Sequence, residues 1–424
     1  MVTLRGSRLP ASAVVLGVAL ASGALPAGQN ADGSAGPLGD HRAIQYVTRP
    51  TSDRAAALNQ ALASGRRSLQ RDPRTGYLHA LLDALGVPVE SQLLVFSKTG
   101  AQRAYTGPHT PRALFYDTSV AVGYVPGAPA IEVAAHDPQQ GVVFYTVDQA
   151  ATTPVLARQT SCLTCHVSPG TLNVPGMIAR SNTVGGQGHV LPQDPGHEVT
   201  HRTPHPDRWG GWFVTSVDGA SPYAQRAHGG NITFTERGET SNQVFVDWLD
   251  SAPQTRGYLG PQSDVVSLLV FDHQTHAINL LTRLNWEARA ASSDGRAGMD
   301  DGGLRGLVNE LAEYLLFVSE APFQVPLTAV PQFASRLAAG IPRDGKGRSL
   351  AQLELENRLL KYPCSYMIYS DAFDGLPPAV KNAVYLRMRE ILSAVDAPAG
   401  RVRLSAADRR AVLEILHDTK PDFR

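Results

Sequence analysis

Cys162, Cys165 and His166 stand together in the stretch SCLTCHVSPG, residues 161–170, at the spacing C-x-x-C-H. That spacing is the covalent attachment signature of a c-type haem. The two thiols can form thioether bonds to the two vinyl groups of one porphyrin edge. The adjacent imidazole then lies under the iron as its proximal ligand. The imidazole's other nitrogen needs an acceptor to fix its tautomer, and a carbonyl of the SPG turn that follows is the expected one. Two other chemistries use paired cysteines. A thioredoxin-like dithiol opens a helix after a strand in a βαβ unit, whereas Pro169 and Gly170 follow here. A structural zinc site needs two more ligands at paired spacing, and the sequence has no second C-x-x-C. One covalent haem c is the reading that remains.

The iron of such a group has a sixth position. Of 13 histidines, six lie between residues 166 and 228: His166, His189, His197, His201, His205 and His228. His201 is the first candidate for the iron and Met177, in NVPGMIAR, the second. His228, His273 and an open position are the alternatives. Bis-His ligation would give a low potential and His/Met a higher one. His273 and His276, at i and i+3 of a helical stretch, are expected mainly to pack with a satisfied hydrogen bond. In THRTPHPDRWGGWFVTSVDG, Arg208 and Trp209 offer a guanidinium and an indole N–H, donors suited to the paired haem propionates. Gly210 and Gly211 allow the backbone to approach a ring closely. Cys364, alone in KYPCSY beside an apolar helical pattern, reads as a small buried hydrophobe.

These residues sit in a chain of 424, far more than one haem needs. The pattern of MVTLRGSRLPASAVVLGVALASGALPAGQN, with Arg5 and Arg8 before a short apolar run and Ala24 and Ala27 after it, predicts a signal peptide over 1–27. A Gly/Ala/Ser linker, expected to be disordered, follows at 28–40. Residues 41–155 begin with a helical pattern over 52–70. They then change to period two in SQLLVFSK, RALFYDTSVAVGYV, AIEVAA and GVVFYTVDQ, which predicts four or five strands. Residues 156–261 hold 14 of the 39 glycines and nine prolines with little periodicity. A loop of that length is normally functional. A chain wrapped on a large planar cofactor would have this composition, with short strands near GWFVTSVDG and NITFTE. From 262 to 424 the period is helical. Capping pairs Ser349/Gln352 and Ser405/Asp408 open helices there. The fold class is α+β: a strand-rich N-terminal region, a Gly/Pro-rich loop-dominated haem region and a C-terminal helical array.

Net charge is zero, and only five of the 38 basic residues are lysine. The zero net charge argues against nucleic acid or an anionic membrane as a partner, since both select a basic face. No segment beyond the N-terminus is long and apolar enough to span a bilayer, so the expected location is the periplasm, with no membrane span once the signal is cleaved.

Six stretches carry a resemblance: SQLLVFSKT, PRALFYDTSVAVGYVPG, SCLTCH, HRTPHPDRWGGWFVT, FDHQTHAINLLTRLNWE and IPRDGKGRSLAQLELENRLLKYPCSYMIYSDAFDGLP. With these, running from about residue 90 to 376, the chain resembles large bacterial monohaem c-type cytochrome-like proteins, a family of cytochrome c domain-containing proteins. The resemblance implies export and haem binding through Cys162, Cys165 and His166, and no particular reaction. His201, Arg208, Trp209, His228 and His273 match its motifs without an assigned role. The match at His228 is looser, since YAQRAHGGN departs from the family's GAQRHMGN-like stretch. The single C-x-x-C-H also departs from the dihaem peroxidases.

Three functions fit these residues. A periplasmic electron carrier needs a six-coordinate iron, an exposed haem edge and a redox partner protein. A peroxidase- or oxidase-like haem enzyme needs an open or displaceable sixth site for a small-molecule substrate. A haem-based sensor needs a ligand-responsive iron. Each draws on the redox or ligand chemistry of haem, with the protein selecting among them.

Overall fold

The computed structural model describes residues 33–185, 187–193, 196–214, 257–260, 262–296, 302–323, 326–394 and 404–423. The expected signal peptide, His228 and the stretch NITFTE lie outside them. All described residues belong to one compact unit.

Alternation of β-branched and small residues after residue 90 does build a sheet. Its strands are β1 (Leu93–Val95), β2 (Arg112–Tyr116), β3 (Val120–Tyr124), β4 (Ala130–Asp137), β5 (Gly141–Asp148) and β6 (Ala157–Arg158). They pair antiparallel in chain order, β1 through β6. The β4–β5 hairpin is the longest ladder, from Ala130↔Asp148 to Asp137↔Gly141. Asp137 closes its turn by accepting from the amides of Gln139 and Gln140 at 2.8 and 2.9 Å, an Asx turn.

The register divides the side chains between two faces. Phe115, Val122, Val133 and Tyr145 share one. It is covered by α2 (Arg54–Ala63) and α3 (Leu78–Leu85). Asp53 caps α2 by accepting from Ala55 and Ala56, and Tyr145 Oη donates to its other oxygen at 2.6 Å. Arg112, Leu114, Tyr116, Ala121, Gly123, Glu132, Ala134 and Phe144 share the opposite face. There Tyr116 Oη reaches the Ser267 carbonyl at 2.6 Å.

Ser267 lies on α5 (Val265–Ser293), the long helix predicted from 263 onward and capped by Asp264. Its 29 residues span about 44 Å at 1.5 Å per residue. Most of α5 is buried, including polar Asp272, His273, Asn279 and Asn285. Around it lie α6 (Gly302–Leu315), α7 (Pro331–Ala338), α8 (Asp371–Asp374), α9 (Pro378–Ser393) and α10 (Ala406–Thr419). Ser405 and Asp408 form the capping box of α10, as expected. The α+β class holds, with strands N-terminal and helices C-terminal. Among the described residues no helix is long and apolar enough to cross a membrane.

Three local expectations give way. Residues 33–40 are not loose linker: α1 (Gly36–Asp40) forms, Ala35 is fully buried and Gly39 packs on Trp286. The helix expected over 52–70 stops at Ala63, where Ser64 Oγ takes the Gln60 carbonyl and Gly65 turns left-handed. Ser349 and Gln352 do bond as a cap, but no helix propagates from them. The Glu354 carboxylate instead accepts from the amides of Asn357 and Arg358, which folds the segment into a bridge of Leu353 with Leu360. Local side-chain acceptors compete with the helix for those amides.

Candidate functional site

Strand β6 brings the chain to the rim of the sheet, and C-x-x-C-H follows at once. It forms one helical turn, α4 (Leu163–His166), anchored by buried Leu163. Residues three apart share a helix face, so Cys162 and Cys165 stand on one side of the turn. Both are free thiols, Cys162 half-buried and Cys165 exposed. Burial, with Glu132 nearby, pushes the Cys162 thiol up to about 11.

His166 is clasped from behind. Its Nδ1 lies 2.8 Å from the Gly176 carbonyl, and the Gly176 amide donates back to the His166 carbonyl at 3.1 Å. A carbonyl only accepts, so Nδ1 carries the proton. Burial holds the imidazole below its ordinary pKa, so the ring is neutral at pH 7 and Nε2 bears a lone pair. The expected acceptor in the SPG turn is therefore replaced by Gly176. That turn acts on the backbone instead: Thr171 Oγ1 donates to the His166 carbonyl at 3.2 Å.

Gly176 reaches this place because it lacks a side chain. A Cβ there would fall well inside the contact shell of Asn279 Oδ1. Asn279, on α5, accepts from the Met177 amide at 3.2 Å and donates to the Met177 carbonyl at 2.8 Å. The Met177 backbone is thus fixed next to Gly176, whose carbonyl faces Nδ1. In front, the Phe144 ring lies 4.6 Å from the His166 ring. Glu132 and Arg112, on the same sheet face as Phe144, act electrostatically on His166 in opposite directions.

The other candidates gather in a second cluster, between α5 and α6. Asp272, fully buried, accepts from Trp209 Nε1 at 3.0 Å and pairs with Arg208 at 3.5 Å. Arg208 also donates to the carbonyls of Thr203 and His201, at 2.8 and 2.9 Å. Trp209 adopts a left-handed conformation, φ 62°, which costs an ordinary residue roughly 1–2 kcal/mol. The His201 ring stacks on Tyr314, Phe317 and His273 with centroids 4.1, 4.6 and 5.0 Å away. His201 Nδ1 meets His273 Nδ1 at 2.8 Å, and His273 Nε2 meets Ser365 Oγ at 2.6 Å. His273 is fully buried and satisfied, the packing role expected of it. His201 Nε2 is buried with no hydrogen-bond partner. Cys364 is fully buried, as expected of a lone hydrophobic cysteine.

The structure brings Cys162, Cys165 and His166 together. It brings His201, Arg208, Trp209 and His273 together elsewhere, on Asp272 and the rings of Tyr314 and Phe317. Among the described residues, no group of three or more His, Cys, Asp or Glu side chains is placed to hold a metal ion. Gly176, Asn279, Phe144, Arg112 and Glu132 escaped the sequence reading. Arg112 and Glu132 had a signal, being charges on one parity of otherwise apolar strands. A cleft of about 540 Å³ lies beyond the motif, between Leu172 and the helices α5 and α6, with Arg283, Glu287, Leu304 and Leu307 on its walls. No family model, curated protein or solved structure matches the chain.

Proposed function

We propose that this chain is an exported, periplasmic monohaem c-type cytochrome that transfers electrons to or from a redox partner, as its resemblance to that family implies. One observation carries the reading. His166 donates through Nδ1 to a backbone carbonyl and keeps Nε2 as a lone pair, the state that a proximal haem ligand requires. Cys162 and Cys165 on the same helical turn are free to form the two thioethers. These three residues would hold the group, and the bound haem would supply a one-electron couple at its iron. The Gly/Pro-rich segment from 156 would owe its short strands and turns to that cofactor.

Small-molecule chemistry at the iron is the second reading, and a specific observation favours it. The first candidate for the sixth position is engaged elsewhere: His201 lies inside an aromatic stack. An iron without His201 is open to a small ligand unless Met177 or another residue reaches it.

Protein expressed with a cytochrome c maturation system tests both. Haem should stay with the polypeptide on a denaturing gel, because thioethers survive unfolding. Cys162→Ala/Cys165→Ala should abolish it. Haem-stained bands in that double variant would refute the reading. The ferric spectrum separates the alternatives: low spin for a six-coordinate carrier, high spin for an open site.

A further inference from the structure

We propose that Arg112, on the sheet face overlooked by His166, binds a carboxylate of the haem, in place of Arg208 and Trp209. The proposal rests on the haem reading above and extends it to the far edge of the ring.

The face is built for a flat ligand. Register puts Arg112 of β2, Gly123 of β3, Glu132 of β4 and Phe144 of β5 on one side of the sheet. Phe144 touches His166, so the motif stands over one corner of this face and Arg112 over the diagonally opposite one. Three strand spacings, ~14 Å, separate β5 from β2, and Arg112 lies further along β2 from Tyr116, the residue in register with Phe144. Between them the face carries Ala121, Gly123 and Ala134, with Leu114 beside Gly123. At Gly123 a Cβ would come within 3.3 Å of Glu132 Oε2 and 3.5 Å of Arg112 Cδ, so both charged side chains lie over the bare backbone.

Arg112 has donors to spare. Its Nη2 donates to the Thr99 carbonyl at 2.6 Å. Its Nε is ion-paired with Glu132 Oε2 at 3.8 Å, beyond hydrogen-bond reach, and is buried with no hydrogen bond of its own. A guanidinium has five N–H donors in a planar fork that fits a carboxylate. Arg208 is in the opposite condition. It is buried to 1% exposure against Asp272, and Trp209 Nε1 serves the same carboxylate. Those donors already have their acid, and it comes from α5.

Redox titration of the holoprotein across pH tests this. Arg112→Gln should keep its covalent haem, which the thioethers hold. Loss of a cation beside the ring favours the ferric state, so the midpoint potential should fall. A carboxylate without its arginine protonates more easily, so the break in potential against pH should move to higher pH. Arg112→Lys keeps the charge without the fork and should show the same displacement at smaller size. It also replaces Arg112→Gln if that variant does not accumulate. Trp209→Phe should leave both quantities at the wild-type value. An unmoved pH break in the Arg112 variants, or a moved one in Trp209→Phe, overturns the proposal. Wild-type protein without covalent haem would instead remove the reading on which it rests.

Discussion

His166 and Gly176 hold each other by two hydrogen bonds, imidazole to carbonyl and amide to carbonyl, across ten residues of chain. The clasp is possible only because Gly176 presents no Cβ to Asn279. Gly176→Ala should therefore push the chain off Asn279 and release the imidazole. Overpacking of this kind costs roughly 1–3 kcal/mol. The measurable result is a lower urea midpoint, with a weakened proximal bond seen as a shifted ferric spectrum. A variant with wild-type stability and spectrum would show that the clasp does not position His166.

Removing the charge at Asp272 strands a buried guanidinium. Breaking a buried ion pair from one side costs roughly 3–5 kcal/mol. Asp272→Asn should lose stability on that scale in urea unfolding while retaining covalent haem. Trp209, held in a left-handed conformation partly by its bond to Asp272, should become more mobile, which its fluorescence reports.

His201→Phe tests the sixth position. The substitution keeps a ring in the stack of Tyr314, Phe317 and His273 and discards the nitrogens. The ferric haem spectrum should stay as in the wild type. Conversion from low to high spin would return His201 to the iron.

Acid should unfold the protein through its buried histidines. Burial lowers His273 and His205 to about 3, and His276 and His136 to about 4, against an ordinary 6.5. His201 is lowered as well. The unfolded chain takes up these protons below pH 6.5 and the folded chain does not, so stability falls as pH drops. Asp264, Asp272 and Glu320, raised by burial to about 7, act oppositely: they favour the fold at low pH and lose that contribution as pH rises toward 7. Five histidines outweigh three carboxyls. The unfolding free energy should decline from pH 7 to pH 5 by roughly 1.4 kcal/mol per pH unit for each net proton, read as a falling urea midpoint. A midpoint that rises over that interval contradicts the balance.

The strands were legible because AIEVAA buries alternate residues and GVVFYTVD is a β-branched and aromatic run, buried on both faces over its first five residues. Helix α5 was legible from its apolar spacing and α10 from its cap. The C-x-x-C-H turn was legible because its three side chains lie within five consecutive residues. What escaped depends on pairings distant in sequence. Gly176 looks like any turn glycine until Asn279 is seen to exclude a side chain there. The pairing of Arg208 and Trp209 with Asp272 spans 64 and 63 residues, and their own segment gives no sign of it. Ser349 and Gln352 formed their cap, yet Glu354 diverted the chain, a contest that the capping pair alone does not reveal.

Helix α5 also works as an indexing shaft. Asp272 and His273 grip the segment around residues 201–209, and Asn279 grips the segment behind His166. These grips sit seven residues, about 10.5 Å and nearly two full turns, apart. One residue inserted or deleted between them would rotate Asn279 by about 100° relative to Asp272. The two segments could then not both be held. Helix length between 272 and 279 is therefore a gauge for the placement of both segments, and tolerance to insertion should be far lower there than at either end of α5.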